Sequence, residues 1–339
     1  MSDAIGPQPT GDDAQRQGRP PRRLLIGVVA ALLLIVGAVA AFMLLQRPSS
    51  PTAPSPTQTL PELPPGPMNI LVLGSDIRGN AREALQRQEA TGEQADERSD
   101  MIMLVHIPAD RHKVYGISIL RDNWVKIPGH GDSKINESLT FGGPRLVADT
   151  VGSLLGTHID HYAMLDFDGF KNLTDALGGV DVNVTAPFTA TFDTHHTFAQ
   201  GINKLDGQAA LEFVRERKAF PDGDYQRARN QQTYVRSVMT QLLHTGKVTN
   251  PTNALELIKV VSPHLIVDPG FDSTALASVA YALRSTDPAA SVFFTLPTAG
   301  TGTSPDGQSI VLPDYAGIAE VAAALKSDGL AGYAASHGL

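Results

Sequence analysis

Between Leu24 and Leu45 the chain reads LLIGVVAALLLIVGAVAAFMLL, 22 residues without a charge. In hydrocarbon every backbone polar group must be satisfied within the segment, and an apolar helix of about 20 residues is what crosses a bilayer core. The run predicts one transmembrane helix, and this constrains all that follows. Arg16, Arg19, Arg22 and Arg23 precede it and only Arg47 follows closely. The positive-inside rule then keeps residues 1–23 in the cytoplasm as a short tail and puts everything after the span outside. Ala38-Val39-Ala40 has the small-x-small form of a cleavage site. The apolar run nevertheless continues past it and exceeds the roughly 7–15 residues of a signal core, so the span of residues 24–45 reads as an anchor.

Residues 46–67 are rich in Pro, Ser and Thr, the composition of an extended, semi-rigid linker that holds a domain off a membrane. Residues 68–339 are then left for one sizeable core. Three of the 35 acidic residues and five of the 27 basic ones lie at or before Arg47, leaving 32 acidic against 22 basic beyond it. So acidic a domain excludes a duplex-wide nucleic-acid surface, and no nucleic acid is expected as partner. The chain has no cysteine, which excludes disulfides, thiol nucleophiles and cysteine-ligated metals.

The globular part opens with MNILVLGSD, where the continuous apolar run Ile70–Leu73 is that of a strand buried on both faces. A polar, charged stretch leads to RSDMIMLVHIP. ADRHK then makes a hairpin-length connection to a strand that ends at Arg121-Asp122. If the third strand returns antiparallel to the second, Arg121 comes back beside Arg98 and Asp100, and Asp76 joins them if the first strand is antiparallel to the second. Three separated pieces converge on one sheet edge, where open α/β sheets hold ligands. HYAMLDFDGFKNLTDALGGVDVNV reads as strand, helix, Gly-Gly stop and strand. The alternation is that of an α/β fold: three layers, α-β-α, around a central mixed sheet, preceded by the transmembrane helix.

In LEFVRERKAF, residues 211–220, an extended backbone would turn Arg215 and Arg217 to one face and Glu216 to the other. Asp206 is expected to cap a short helix before it, and Asp224 to cap the helix after it, on which Arg227 and Gln231 share a face at i and i+4. Met101 and Met103 alternate along a strand and read as core. His195-His196 beside Asp193 suggest a metal by composition, but adjacent histidines point different ways, and no transition-metal site is expected. The polar set is Asp76, Asp100, Arg98, Arg121, Arg215, Arg217, Arg227 and Gln231. Several arginines around one pocket suit more than one phosphoryl group, and two carboxylates suit Mg²⁺, which completes its shell with water and phosphate oxygens. No Gly-rich phosphate loop or Ser-His-Asp order stands out.

Seven ordered stretches, NILVLGSDIR, RSDMIML, SILRDNWVKIPG, KINES, DALGGVDV, LDGQAALEFVRER and DYQRARNQQ, resemble the LytR-CpsA-Psr family of envelope glycopolymer ligases over about residues 68–240. The resemblance implies a Mg²⁺-dependent transferase, with Mn²⁺ as a substitute ion. Its substrate would be a polyprenyl-pyrophosphate-linked glycan and its acceptor a peptidoglycan hydroxyl, with the prenyl tail in a groove inside the apolar core. By the same resemblance Asp76 and Asp100 hold the metal and Arg121, Arg215, Arg217, Arg227 and Gln231 hold the pyrophosphate. Arg98 supports the head-group site, and Arg121 and Arg217 carry the catalysis; read from the residues, Lys134 either faces the phosphates or serves only to bond a loop. Asp122 and Asp224 are candidate general bases. Leu120 stands where the family usually has proline, and Asn230 where it often has a further arginine. A lipid holder without catalysis and a pyrophosphate hydrolase are the alternative readings.

Overall fold

The computed structural model describes residues 59–75, 81–91, 99–246 and 248–339. The Leu24–Leu45 span, the linker up to residue 58, Asp76 and Arg98 lie outside them. Among the described residues no helix is long and apolar enough to cross a membrane.

Strand β1 (Met68–Ser75) pairs antiparallel with β2 (Ser99–Ile107), which pairs antiparallel with β3 (Tyr115–Ile119) across the ADRHK hairpin. Two short strands, β4 (Trp124–Ile127) and β5 (Gly131–Lys134), form a separate ribbon. Strand β6 (His161–Leu165) lies parallel to β1. β7 (Val180–Val184) and β10 (Gly201–Leu205) form a second ribbon, with the two-residue strands β8 (Phe188–Thr189) and β9 (Thr197–Phe198) between them in sequence. β11 (Leu265–Val267) and β12 (Val292–Thr295) complete a six-stranded sheet ordered β11-β6-β1-β2-β3-β12, followed by the hairpin β13 (Thr298–Thr303) and β14 (Ser309–Pro313). Two of its five pairs, β6 with β1 and β3 with β12, are parallel and the other three antiparallel, so the sheet is mixed, as expected.

The helices are α1 (Ala81–Thr91), α2 (Glu137–Leu155), α3 (Phe167–Ala176), α4 (Gly207–Arg215), α5 (Asp224–His244), α6 (Pro251–Val261), α7 (Ser273–Ala282), α8 (Tyr315–Lys326) and α9 (Leu330–His337). Alternate residues of β1 face opposite sides. Leu71 and Leu73 pack with Val147 and Val151 of α2 and Val321 of α8, whereas Met68 and Ile70 pack with Phe271 and Val279 beside α7. Burial on both faces explains the uninterrupted apolar run. A further apolar cluster joins α3, α4 and the β7–β10 ribbon.

The LDGQ stretch fixes how α4 meets α3. Asp206 caps α4 by accepting from Ala209 N at 2.9 Å, and Gly207 N donates to Asp175 Oδ1 at 2.7 Å. A Cβ on Gly207 would stand 2.5 Å from Lys171 O, so only glycine allows this approach.

Two expectations are corrected. Arg215 and Arg217 do not lie on a strand: Arg215 closes α4, and the chain becomes extended only at Glu216. Asp224 is not a cap but the first residue of α5; Gly223, at φ 44°, holds the cap position, and Asp224 instead turns to Arg227, three residues on.

Candidate active site

Strand direction assembles the site. Ile102 pairs with Ile119, so two residues further along each strand Asp100 meets Arg121, and Arg121 Nη1 donates to Asp100 Oδ1. In the same way Ser75, the residue before Asp76, pairs with Ser99, the residue before Asp100. Beyond Arg121 the chain is tied to the KIN segment: Asn136 N donates to Arg121 O at 3.1 Å and Ile135 N to Asn123 O at 2.8 Å. This brings Lys134 Nζ to 3.4 Å from Asp122 Oδ1, while Arg121 Nε lies 3.5 Å from Asp122 Oδ2.

The start of α5 closes the group from the other side. Arg227 Nη2 is 3.1 Å from Asp224 Oδ1, Arg217 Nη1 is 3.6 Å from the same oxygen, and Arg227 Nη1 is 4.0 Å from Asp100 Oδ1. Four cations (Arg121, Lys134, Arg217, Arg227) and three carboxylates (Asp100, Asp122, Asp224) thus form one continuous network with a positive surplus. Arg227 is only 5% exposed. Burial pushes its pKa below the ordinary arginine value, Asp224 and Asp100 oppose that shift, and Arg121 and Arg217 add to it. For Arg121 burial acts in the same direction, but Asp100, Asp122 and Asp224 outweigh it and raise the pKa. Both remain cations. Arg121 Nε, Asn123 Oδ1 and Asn136 Oδ1 are buried without a hydrogen-bond partner among the described residues, donor and acceptor capacity that a polar ligand could take up.

Arg215 stands apart from the network. Its Nη1 donates to Asp193 Oδ2 at 3.1 Å, and its guanidinium lies over the rings of Phe167 (4.4 Å) and Phe192 (4.8 Å). Arg215, Arg227, Gln231 and Asp100 all border a cavity of about 210 Å³ whose interior is apolar, with Leu73, Met101, Leu165, Phe170, Leu211 and Val238 in its wall. Gln231 donates to Val214 O at 3.3 Å. Met101, expected in the core, therefore lines this cavity; Met103 is core, with no exposure. The network of charge and the apolar cavity share Asp100 and Arg227, so a ligand that fills one reaches the other.

Glu216 escaped the sequence reading except as a side chain facing away from the arginines. It is fully buried and accepts from Thr191 N at 2.5 Å and from Arg217 N and Ala219 N at 2.9 Å each. It ties the chain after Arg215 to the β8–β9 hairpin. Glu212 does the same one turn earlier, accepting from Thr194 N at 3.1 Å and His196 N at 3.0 Å. Among the described residues no three His, Cys, Asp or Glu side chains gather for an ion.

The model of the LytR_cpsA_psr family matches residues 46–327. The chain belongs to the LytR-CpsA-Psr family. The cell wall biosynthesis protein LcpA of Corynebacterium glutamicum is 30% identical over 285 residues, covering 74% of this chain and 54% of LcpA. A protein of Bacillus mycoides, polyisoprenyl-teichoic acid–peptidoglycan teichoic acid transferase TagU, is 35% identical over 208 residues, covering 61% of this chain and 63% of TagU. This chain therefore spans less than two-thirds of the length of either relative. The crystal structure of TagV from Bacillus subtilis superposes with a TM-score of 0.67 at 23% identity, over 79% of this chain and 98% of TagV, and shares the fold.

The two departures from the LytR-CpsA-Psr pattern fall away from the charges. Leu120 is buried against Ala228 and Val311, an apolar plug between the exit of β3 and α5. Asn230 donates to Phe213 O at 3.1 Å and accepts from Gln226 Nε2 at 2.8 Å, and it borders a different cavity. Asn230 itself is not a member of the network.

Proposed function

We propose that this protein transfers a glycopolymer, together with one phosphate, from a polyprenyl pyrophosphate carrier to a hydroxyl of peptidoglycan. The observation that carries the reading is the junction of an apolar cavity with a cluster of guanidiniums at Asp100 and Arg227. A prenyl chain needs an apolar enclosure, a pyrophosphate needs several fixed donors, and few other ligands need both at one mouth. The names of the relatives LcpA and TagU support the cell-wall setting.

In this reading the acceptor oxygen attacks the phosphorus that bears the glycan. A new P–O bond forms as the bond from that phosphorus to the prenyl phosphate oxygen breaks, and prenyl phosphate leaves. Arg121, Arg217 and Arg227 hold the non-bridging and leaving oxygens, where charge develops, and Arg215 and Gln231 orient the carrier at the cavity mouth. The hydroxyl proton passes to a carboxylate at the rim, Asp122 or Asp224. The guanidiniums now paired with Asp100 and Asp224 exchange those carboxylates for phosphate.

Mg²⁺, or Mn²⁺ in its place, would be held by Asp100 and Asp76. Asp100 is a hard carboxylate at the mouth, and the register puts the residue before Asp76 opposite the residue before Asp100. An ion held by these two carboxylates would supply neutralisation of the phosphoryl oxygens. Asp76 and Arg98 enter by their place in the family motif. The Leu24–Leu45 run anchors the chain, with the N-terminus in the cytoplasm and the catalytic domain facing the wall.

The test uses the full chain in detergent with a synthetic polyprenyl-pyrophosphate oligosaccharide and peptidoglycan fragments, in Mg²⁺ or EDTA, read by mass spectrometry. A Mg²⁺-dependent glycan–phosphate–peptidoglycan product is expected. Carrier bound but returned intact would favour a lipid holder, and a free glycan phosphate would favour a hydrolase.

A further inference from the structure

Helix α5 begins with two polar faces. Arg227 and Gln231 border the apolar cavity, whereas Gln226, Arg229 and Asn230 border a second cavity of about 240 Å³. The walls of the second cavity are of mixed chemistry. Phe188, Phe213 and Phe220 supply aromatic surface, with Phe188 edge-on to Phe220 at 4.8 Å. Asn183, Thr185 and Thr233 add an amide and two hydroxyls to those of Gln226 and Asn230.

The polar groups on α5 are held by hydrogen bonds, and the set is neutral once Arg229 is paired with Asp222. Asn230 is held between Phe213 O and Gln226 Nε2. Arg229 is ion-paired with Asp222 and donates to Gln226 Oε1 from Nε at 3.0 Å. No cation in this wall is left for a pyrophosphate, and the amides make it a poor seat for a prenyl chain. Aromatic surface flanked by oriented amides and hydroxyls, without net charge, matches a pyranose: the rings meet its C–H faces, and the amides donate to and accept from its hydroxyl and acetamido groups.

The second cavity is one turn of chain away from the charges. Phe220 N donates to Arg217 O at 3.2 Å and Gly223 N to Phe220 O at 3.3 Å, so residues 217–223 form a double turn. Arg217 reaches Asp224 at one end of it, and Phe220 borders the second cavity from its middle.

We propose that this cavity seats an acetamido-bearing pyranose of the acceptor glycan, beside the double turn that carries Arg217. The assignment to the acceptor rests on the transfer reading; the assignment to a sugar rests on the cavity alone.

The experiment titrates the full chain in detergent with a β-1,4-linked tetramer of N-acetylglucosamine, and separately with a short-chain polyprenyl pyrophosphate, by calorimetry. Wild type binds both. Gln226→Ala and the cavity-filling Thr185→Trp, at an exposed position, weaken the tetramer about tenfold or more and leave carrier affinity unchanged. Arg121→Ala does the reverse. The inference is overturned if wild type does not bind the tetramer, if both variants bind it as wild type does, or if a stem peptide without sugar competes for the cavity. Tetramer binding lost in the variants, with no carrier binding in wild type, would keep the sugar site and sink the transfer reading. Carrier transfer with an unaltered acceptor KM in Thr185→Trp would do the opposite.

Discussion

Arg121 and Asp100 face each other across the ends of two antiparallel strands, and the pair closes the polar edge of the sheet at the mouth of an apolar cavity. Each is about one-fifth exposed at the side chain, so both are accessible to a ligand and shielded from bulk water. In the proposed transfer the pyrophosphate would take over the guanidinium that Asp100 holds here, and Arg121 would then stabilise developing charge more than it stabilises the fold. Arg121→Ala should therefore lower transfer by about 10²–10³-fold while the melting temperature changes little. Single-turnover product formation and a thermal melt on the same preparation check this; loss of the fold would make Arg121 structural.

Arg227 is a different case, because it is buried and carries the link between Asp224 and Asp100. Arg227→Met strands Asp224 with Arg217 as its remaining cation and should destabilise by about 3–5 kcal/mol, as when one partner of a buried ion pair is removed. Arg227→Lys keeps the charge but loses the planar fork, and should retain the fold with transfer reduced about 100-fold. Denaturant midpoints and turnover separate the two. Equal stability loss in both variants would show that geometry, not charge, holds the helix start.

How much of this could be read from the residues depends on the range of the forces involved. The meeting of Asp100 with Arg121 was legible because a hairpin fixes strand direction and register carries position. So was the β6–α3–β7 unit, punctuated by Gly178-Gly179. The LEFVRER segment was misread as a strand because its apolar pattern suits either conformation. The helix signal was the Asp206 cap, and the stop at Glu216 is tertiary, set by Thr191 twenty-five residues earlier. Asp224 was misread for a similar reason: a carboxylate before a helix suits a cap, but here Arg227 and Arg217 draw it away. The second cavity had no local signature, since its walls come from β7, β8, α4 and α5 together.

Gly207 links packing to the site. A methyl group there would press on Lys171 O at 2.5 Å and Lys171 Cα at 2.8 Å. Helix α4 would have to back away from α3, and Arg215 at its end would leave Phe167. Gly207→Ala should cost about 1–3 kcal/mol and weaken carrier binding without touching a charge. A melt combined with carrier titration checks it; an unchanged affinity would mean that Arg215 finds its place independently of α4.

The acid limit of the domain should be set in part by Glu216. Burial alone would raise its pKa, but the backbone N–H groups of Thr191 and Ala219, the Thr191 hydroxyl and the N–H of Arg217 hold it below the ordinary value of 4.5. Glu212 is likewise lowered, burial being outweighed by Thr194, Gln208 and His196. With the folded-state value depressed, the unfolded chain takes up the proton first. The stabilisation is then fully present above pH 4.5 and drains away as the pH falls through the lower folded-state value. Glu216→Gln cannot ionise, and its amide turns a donor toward backbone donors, so it should melt below wild type at neutral pH. That gap should narrow as the pH drops below 4.5, because only wild type has a charge to lose. Melting curves of the two proteins across that range decide the matter, and a gap that stays constant down to the acid limit would show that Glu216 acts by shape and not by charge.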